Sequence, residues 1–129
     1  MIRPVLAAAA VALAFAALPA QAADAALMAA VAGPQRAPEN VARDAARHPG
    51  ETLAFWGLKP GQTVIELSPG GGYWTEILAP YARATGGTYV ATAADLDNPK
   101  LSEGAKKARA GFEAKYGDQA KYGQIQYVN

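Results

Sequence analysis

The feature that most constrains the fold is an apolar, β-branched segment that leads directly into a glycine-rich loop. Thr63-Val64-Ile65-Glu66-Leu67 has the composition of a buried strand, and Ser68-Pro69-Gly70-Gly71-Gly72 follows it without a break. After the loop, apolar residues recur with helical spacing at Trp74, Ile77, Leu78 and Tyr81. A strand, a glycine loop and a helix in this order are typical of α/β proteins with a parallel sheet.

The rest of the chain continues this alternation. Gly86-Gly87 ends the helix, 88–93 is a predicted strand, Asn98-Pro99 opens a further helix, and 124–128 is a predicted third strand. Two short helices are predicted before the sheet, over 39–47 and 51–56. We therefore expect an α/β fold, a Rossmann-like βαβαβ half-domain of three parallel strands with N-terminal helices.

The first 22 residues have the organisation of a secretory signal peptide. Arg3 supplies a positive charge, an Ala/Val/Leu segment extends from Val5 to Leu18, and Ala20-Gln21-Ala22 matches an A-x-A cleavage site. A membrane anchor is the alternative, but the apolar segment is shorter than the roughly 20 residues that span a bilayer. We therefore expect cleavage after Ala22, a periplasmic or secreted protein, and no membrane association after cleavage.

Cleavage would leave a lead-in, 23–38, and one domain, 39–129. The lead-in is rich in alanine and contains Gly33, Pro34 and Pro38. We expect it to be weakly ordered, with a short helix over 24–31, and to carry no chemistry.

Charge and composition exclude several classes of function. The chain has a formal net charge of +1, and loss of Arg3 would bring it to zero, which argues against a nucleic-acid partner. With no cysteine and a single histidine, the chain lacks the ligands of thiolate and multi-imidazole sites, so we expect no metal. The basic residues of the helix after the second strand are expected on its solvated face; they are Lys106, Lys107, Arg109 and Lys115.

The glycine loop is the candidate binding site. Glycine permits positive φ angles and lets a ligand approach the backbone, and the following helix presents free N–H groups and the positive end of its dipole. These properties favour a nucleotide-like ligand with polar or anionic groups. A flexible turn is the structural alternative, which the strand before the loop and the helix after it make less favourable.

Carboxylates near the strand ends are candidates to bind a ligand together with this loop. Asp95 follows the second strand, where it is placed to bind ribose hydroxyls, and Asp97 competes for this role. A solvent-facing turn residue is the alternative for Asp95. Glu66 is charged inside an apolar run, so we expect its carboxylate to accept hydrogen bonds from loop amides or to face a ligand ammonium.

The segment Val64 to Gly72 resembles the first motif of class I S-adenosylmethionine-dependent methyltransferases, an acidic residue followed by an alternating glycine pattern. Arg43-Asp44, His48 to Leu53 and Pro69 to Tyr81 are similar to a group of exported bacterial predicted methyltransferases, and the resemblance covers roughly 37–129. It implies methyl transfer from S-adenosyl-L-methionine to an unknown small-molecule or other acceptor. It also implies that the residues lining the cofactor site are Glu66, Ser68, Gly70, Gly71 and Gly72, with Asp95 on the ribose.

Ser68 departs from this pattern, because it stands where the motif usually has its first glycine. If the position needs a positive φ, serine costs on the order of 1 kcal/mol there and the loop is somewhat altered. His48 either covers the cofactor pocket, acts as a base, or lies at a helix end near terminal carbonyls. One of Tyr73 and Trp74 is a candidate ligand contact, although Trp74 fits the buried helix stripe.

The sheet of such methyltransferases normally has more strands than the three predicted here. We therefore expect a truncated chain that retains the cofactor half, with the edge of its first strand unpaired and available for association. The residues that position the acceptor follow the fourth strand in that family, so no catalytic residue is assigned. Two alternatives stay open, an exported non-catalytic protein that binds a nucleotide or small molecule, and a fragment of an NAD-type dehydrogenase.

Overall fold

The computed structural model describes residues 24–129, so the predicted signal peptide, 1–22, lies outside the described residues. Within this part of the chain no helix is long and apolar enough to cross a membrane. In chain order the elements are α1 (Ala25–Val31), α2 (Pro38–Val41), α3 (Asp44–Arg47), α4 (Pro49–Phe55), β1 (Thr63–Glu66), α5 (Thr75–Thr85), β2 (Thr88–Thr92), α6 (Glu103–Tyr116), α7 (Gln119–Tyr122) and β3 (Ile125–Val128).

The strands form one parallel sheet in the order β1-β2-β3. Thr63 of β1 pairs with Thr88 of β2, and Tyr89 of β2 pairs with Ile125 of β3. Helix α5 connects the first two strands, and α6 and α7 connect the last two. The protein therefore has the predicted α/β fold, a half-Rossmann-like βαβαβ arrangement with helices before the sheet. Because the strands are parallel, the loops that follow β1 and β2 lie at the same edge.

Helix α5 contributes a large part of the core. Ile77, Leu78 and Tyr81, which helical spacing places on one face, are all buried. Pro80 has no N–H to donate to the carbonyl of Glu76, yet α5 continues past it to Thr85. Gly86 then ends α5 with a left-handed φ of 71°, as the paired glycines predict.

The segment before the sheet packs on the core instead of forming a weakly ordered lead-in. The helix predicted over 24–31 is present as α1, and Asp24 caps it by accepting a hydrogen bond from the N–H of Ala26. The other carboxylate oxygen of Asp24 accepts from the Tyr81 hydroxyl in α5. Leu27 is buried against the same core, because α1 presents its apolar residues to α5.

The helix predicted over 39–47 is divided into the two short helices α2 and α3. His48 ends α3 in a left-handed conformation, with φ 43°, and Pro49 begins α4 immediately after it. Proline is favoured at this first helical position because its N–H would have no helical partner there. Helix α4 therefore starts two residues before the predicted 51–56, and Gly57 lies just beyond it with a left-handed φ of 81°.

Strand β1 is an edge strand with an exposed side. Ile65 is 57% exposed, and Leu67, just beyond the strand, is 75% exposed. Among the described residues, β1 pairs with β2 alone. The predicted unpaired edge is therefore confirmed, whereas the prediction of a buried strand is wrong because no neighbouring element in 24–129 covers that edge.

The second crossover differs in detail from its prediction. Helix α6 begins at Glu103, with Ser102 as its N-cap, because Asn98-Pro99 lies in a turn instead of opening the helix. The short helix α7, capped by Asp118, was not predicted. Strand β3 occupies the position that the alternating pattern of 124–128 predicts.

A buried carboxylate joins three parts of this fold. Glu76 in α5 is 0% exposed, and its Oε2 accepts a hydrogen bond from the N–H of Ala37 at 3.0 Å. Its Oε1 lies 3.3 Å from the Tyr116 hydroxyl and 3.4 Å from Lys115 Nζ. One side chain therefore ties α5 both to the segment before α2 and to the end of α6.

We expect Glu76→Ala to lower the free energy of unfolding by about 3 kcal/mol, because the Ala37 N–H and the Tyr116 hydroxyl lose a charged acceptor inside the protein. Urea unfolding followed by circular dichroism measures the change. Glu103→Ala is the control, since among the described residues this exposed carboxylate pairs only with Lys106 on its own helix, and its loss should cost less than about 1 kcal/mol. Equal losses in the two variants would contradict the proposed role of Glu76.

Candidate functional site

The loop between β1 and α5 is built on left-handed backbone conformations. Ser68, Gly70 and Gly72 have φ angles of 54°, 53° and 81°. The N–H of Gly72 donates to the carbonyl of Pro69 at 2.9 Å, which closes a tight turn. The N–H of Ser68 donates to Thr92 Oγ1 at 2.8 Å, so the loop is fastened to the end of β2. Ser68 therefore meets the condition under which serine is costly at this position, because its backbone is held at a left-handed φ.

Backbone donors of this loop face no acceptor within the described part of the chain. The amides of Gly70 and Gly71 make no hydrogen bond to residues 24–129, and both glycines are exposed. The loop also lies directly before α5, an eleven-residue helix whose dipole is positive at this end. Free N–H groups and a positive dipole end can together bind a polar or anionic ligand group.

The three glycines of the loop serve different purposes. A Cβ at Gly72 would lie 1.7 Å from the Tyr116 hydroxyl, so glycine is required there by packing. Gly70 needs its positive φ, and a Cβ there would meet only the Ser68 carbonyl oxygen, at 3.7 Å. Gly71 has open space around its Cβ position. A ligand can therefore approach the backbone at Gly70 and Gly71, whereas Tyr116 of α6 covers Gly72.

A cavity of about 260 Å³ opens on one side of the loop, at the carboxyl end of β2. Its walls are mostly apolar, so it suits a flat ring system better than a strongly charged group. The residues that line it come from the loop, the end of β2 and one face of α6; they are Ser68, Pro69, Gly70, Thr92, Ala93, Ala94, Ala105, Ala108, Arg109 and Phe112.

Among the residues that line this cavity, Arg109 is the one whose predicted position is wrong. Its side chain was expected on the solvated face of α6, but it is only 12% exposed. The guanidinium lies 4.1 Å from the Tyr127 ring centroid, and it donates to Glu113 Oε1 at 2.5 Å and to the Ala94 carbonyl at 3.3 Å. The ring and the carbonyl belong to β3 and to the segment after β2, and α6 alone gives no signal of either partner.

Glu66 forms hydrogen bonds with hydroxyl groups, and none with loop amides. Its Oε2 accepts from the Tyr89 hydroxyl at 2.5 Å and from Thr75 Oγ1 at 3.0 Å. Burial raises the pKa of Glu66 above its ordinary value of 4.5, against the effect of these two donors. The other oxygen, Oε1, accepts no hydrogen bond within 24–129, so it is the one part of this carboxylate that can meet a ligand ammonium.

Asp95 lies in a turn after β2, three residues beyond Thr92. Its Oδ1 accepts a hydrogen bond from the N–H of Asp97 at 3.0 Å, and its carbonyl accepts from the N–H of Asn98 at 3.2 Å. Asp97 is exposed, whereas Asp95 is partly buried. Asp95 is therefore a turn-forming residue that keeps one carboxylate oxygen, Oδ2, without a partner among the described residues.

The candidate site residues are not gathered in one cavity. Ser68 and Gly70 line the cavity beside α6, while Glu66 lines a larger groove of about 630 Å³ along the β1 edge, together with Trp56 and Trp74. Gly71 and Asp95 line neither space, and Gly72 lies beneath Tyr116. A ligand that contacts Glu66, the loop and Asp95 must therefore extend across the loop.

The aromatic residues after the loop differ in exposure. Tyr73 is buried and donates its hydroxyl proton to Asp44 Oδ1 at 2.6 Å, and burial together with this carboxylate raises the pKa of Tyr73 to about 12. Trp74 is partly buried, with its ring 5.5 Å from that of Trp56. Trp74 therefore lines the groove at the β1 edge, whereas Tyr73 belongs to the interior.

His48 occupies a helix end, one of the predicted alternatives. Its N–H donates to the Asp44 carbonyl at 2.8 Å, and its carbonyl accepts from the N–H of Thr52. Its imidazole makes no hydrogen bond to the described residues and is exposed. Its contacts are therefore those of a turn between α3 and α4, with no link to the loop.

Comparison with known proteins adds no identity to this site. No protein family matches the chain, and neither the curated proteins nor the solved structures include a significant match. Within residues 24–129, no group of three or more histidine or acidic side chains is arranged to hold a metal ion. The functional argument therefore depends on the geometry of the loop and its surroundings.

We expect Ser68→Gly to raise the free energy of unfolding by about 0.5–1 kcal/mol, because removal of the Cβ relieves left-handed strain by more than the added flexibility of the unfolded chain costs. Thermal and urea unfolding measure the change. Ser102→Gly is the matched control: Ser102 has an extended backbone and caps α6, so its replacement should be neutral or destabilising. A loss of stability in Ser68→Gly would contradict the strain assigned to this loop.

The raised pKa of Glu66 predicts a specific pH dependence. Burial favours the protonated carboxyl in the folded state, so the wild-type protein loses stability as pH rises from about 4.5 through the folded-state pKa. Glu66→Gln keeps an acceptor for Tyr89 and Thr75 but cannot ionise. Its stability relative to wild type should therefore increase between pH 4 and pH 8, as measured by urea unfolding at each pH. A difference that is constant with pH would contradict this prediction.

Proposed function

We propose that the protein is an S-adenosyl-L-methionine-dependent methyltransferase whose cofactor binds across the glycine loop. The observation that carries the proposal is the left-handed loop itself, with two free amides, beside a ≈ 260 Å³ apolar cavity at the carboxyl end of parallel strands. Ligands of open parallel sheets bind at this end. The resemblance of 64–72 to the first methyltransferase motif supports the same cofactor.

The residues around the loop fit the chemical groups of this cofactor. The cavity formed by the loop, the end of β2 and α6 suits a purine, and Asp95 Oδ2 can accept a hydrogen bond from a ribose hydroxyl. On the other side of the loop, Glu66 Oε1 can accept a hydrogen bond from the ammonium group. The placement of these groups on both sides of the loop suits an elongated ligand.

The chain's own contribution to methyl transfer would be to bind and orient. When bound, the cofactor supplies an electrophilic methyl group on its sulfonium, and transfer requires an acceptor held in line with it. The loop amides and Asp95 would fix the cofactor, and the apolar walls would exclude water from part of it. No residue is assigned the role of removing a proton from the methyl acceptor. The proposal includes an unidentified methyl acceptor and export from the cytoplasm. The alternative is a binding protein without transferase activity.

Isothermal titration of the purified protein with S-adenosylhomocysteine tests the cofactor assignment, with NAD titrated in parallel. We expect S-adenosylhomocysteine to bind and NAD not to. Gly70→Ala should weaken binding about tenfold or more, because a Cβ would enter the space next to the free amides. Gly86→Ala is the matched control, with a similar positive φ and open Cβ space at the end of α5. Binding of NAD alone would favour the dehydrogenase alternative.

The same titration separates the two aspartates. Asp95→Asn keeps an acceptor for the Asp97 N–H but removes the charge, so it should weaken S-adenosylhomocysteine binding by about tenfold or more while preserving the turn. Asp97→Asn should bind as the wild type does. If a folded wild-type protein bound no S-adenosylhomocysteine, the cofactor assignment would be wrong; binding without methylation of any acceptor would favour the non-catalytic alternative.

A further inference from the structure

Three arginines surround one aromatic ring beside the glycine loop. Tyr73 directly follows Gly72, and the guanidinium carbons of Arg36, Arg43 and Arg47 lie 5.3, 5.1 and 4.6 Å from its ring centroid. Each distance is within the range of a cation–π contact. Three positive charges are thus concentrated at the residue that follows the candidate ligand-binding loop.

Within the described residues, a carboxylate neutralises only one of these three charges. Arg36 is buried, and its guanidinium donates to both carboxylate oxygens of Asp44, at 2.5 and 2.9 Å. Arg43 makes a single long hydrogen bond, 3.4 Å, to Asn40 Oδ1. Arg47 makes no side-chain hydrogen bond to the described residues, and within 24–129 neither Arg43 nor Arg47 has a carboxylate within 4.0 Å. Two positive charges therefore remain without a counter-ion in this part of the chain.

The local fold brings these two arginines together. Arg43 is the N-cap of α3 and Arg47 its last residue, so they are separated by one helical turn and both reach Tyr73. Like charges at this spacing repel each other. The left-handed His48 then ends α3 and fixes the position at which Arg47 leaves the helix. Contacts with the ring offset part of the repulsion, and a bound anion would offset it further.

We propose that Arg43 and Arg47 form an anion-binding subsite beside the glycine loop, which takes a carboxylate or phosphate group of a ligand. Guanidinium groups bind such oxyanions in a bidentate manner, and two of them can hold one oxyanion between them. The subsite deepens the proposed function, because the anion belongs either to the amino-acid part of the cofactor or to an anionic methyl acceptor. The cofactor carboxylate and an anionic acceptor group would present the same chemistry to the two arginines. They differ in whether phosphate can still bind when the cofactor is bound.

The first experiment uses inorganic phosphate as the probe and does not depend on the cofactor. Phosphate is titrated into the wild-type protein at constant ionic strength, and binding is followed by calorimetry and by the shift in unfolding temperature. We expect Arg43→Gln/Arg47→Gln to weaken phosphate binding about tenfold or more. Lys100→Gln/Lys107→Gln is the matched control, because it removes the same charge from exposed positions and should leave phosphate binding unchanged.

Two further variants separate anion binding from packing against Tyr73. Arg43→Gln alone changes an exposed side chain, and Arg47→Lys keeps the charge but loses the planar fork. Anion binding predicts that each weakens phosphate binding less than the double glutamine variant does, with the folded structure retained in circular dichroism. If wild type binds no phosphate, or if the double variant and the lysine control bind phosphate equally, the subsite does not exist and the arginines only pack on Tyr73.

The second experiment identifies the source of the anion. Methylthioadenosine lacks the amino-acid part of S-adenosylhomocysteine, so the two ligands are titrated into wild type and Arg47→Gln. If the subsite holds the cofactor carboxylate, Arg47→Gln weakens S-adenosylhomocysteine about tenfold and leaves methylthioadenosine unchanged. If it holds the acceptor, both affinities are unchanged and phosphate binds together with S-adenosylhomocysteine. Phosphate binding without S-adenosylhomocysteine binding would support the subsite and overturn the cofactor assignment.

Discussion

The buried carboxylate of Glu76 is the interaction on which the arrangement around the glycine loop depends. It holds the N–H of Ala37 on one side and the Tyr116 hydroxyl on the other. The same hydroxyl lies 3.2 Å from the carbonyl of Gly71 and occupies the space that a Cβ of Gly72 would need. Burial and the Glu76 carboxylate raise the pKa of Tyr116, which further favours the protonated phenol that donates the hydrogen bond. Tyr116 of α6 thus fixes one side of the loop backbone, whereas Gly70 and Gly71 stay exposed.

The sequence predicts those parts of the fold that depend on local patterns. Three local patterns predict α5, β1 and β2: the helical spacing from Trp74 to Tyr81, the glycine pair after α5 and the β-branched runs. The order of these elements then implies parallel strands. Burial of β1 could not be predicted in this way. An apolar strand has the same composition in the centre of a sheet and at its edge, and only the position of its neighbours distinguishes the two.

The candidate site was predictable as a loop but not as a set of contacts. The positive φ of Gly70 follows from its place in the strand-to-helix turn, whereas the requirement for glycine at position 72 comes from Tyr116, more than forty residues later. Glu66 is explained by hydroxyl groups of β2 and α5, and no local signal reveals these partners. The cluster of arginines at Tyr73 likewise depends on how α3 packs against the residue after the loop.

The distribution of charge around the loop restricts the kind of ligand that can bind there. A formal charge of +1 for the whole chain gives little long-range attraction for any ion, so discrimination must come from short-range, directional contacts. Arg43 and Arg47 offer positive charge at Tyr73, while Glu66 and Asp95 each keep a carboxylate oxygen without a partner in the described residues. A polyanion would gain from the arginines but be repelled by both carboxylates. A ligand with a cation and an anion at separate positions can satisfy both, and an amino-acid group linked to a nucleoside has this character.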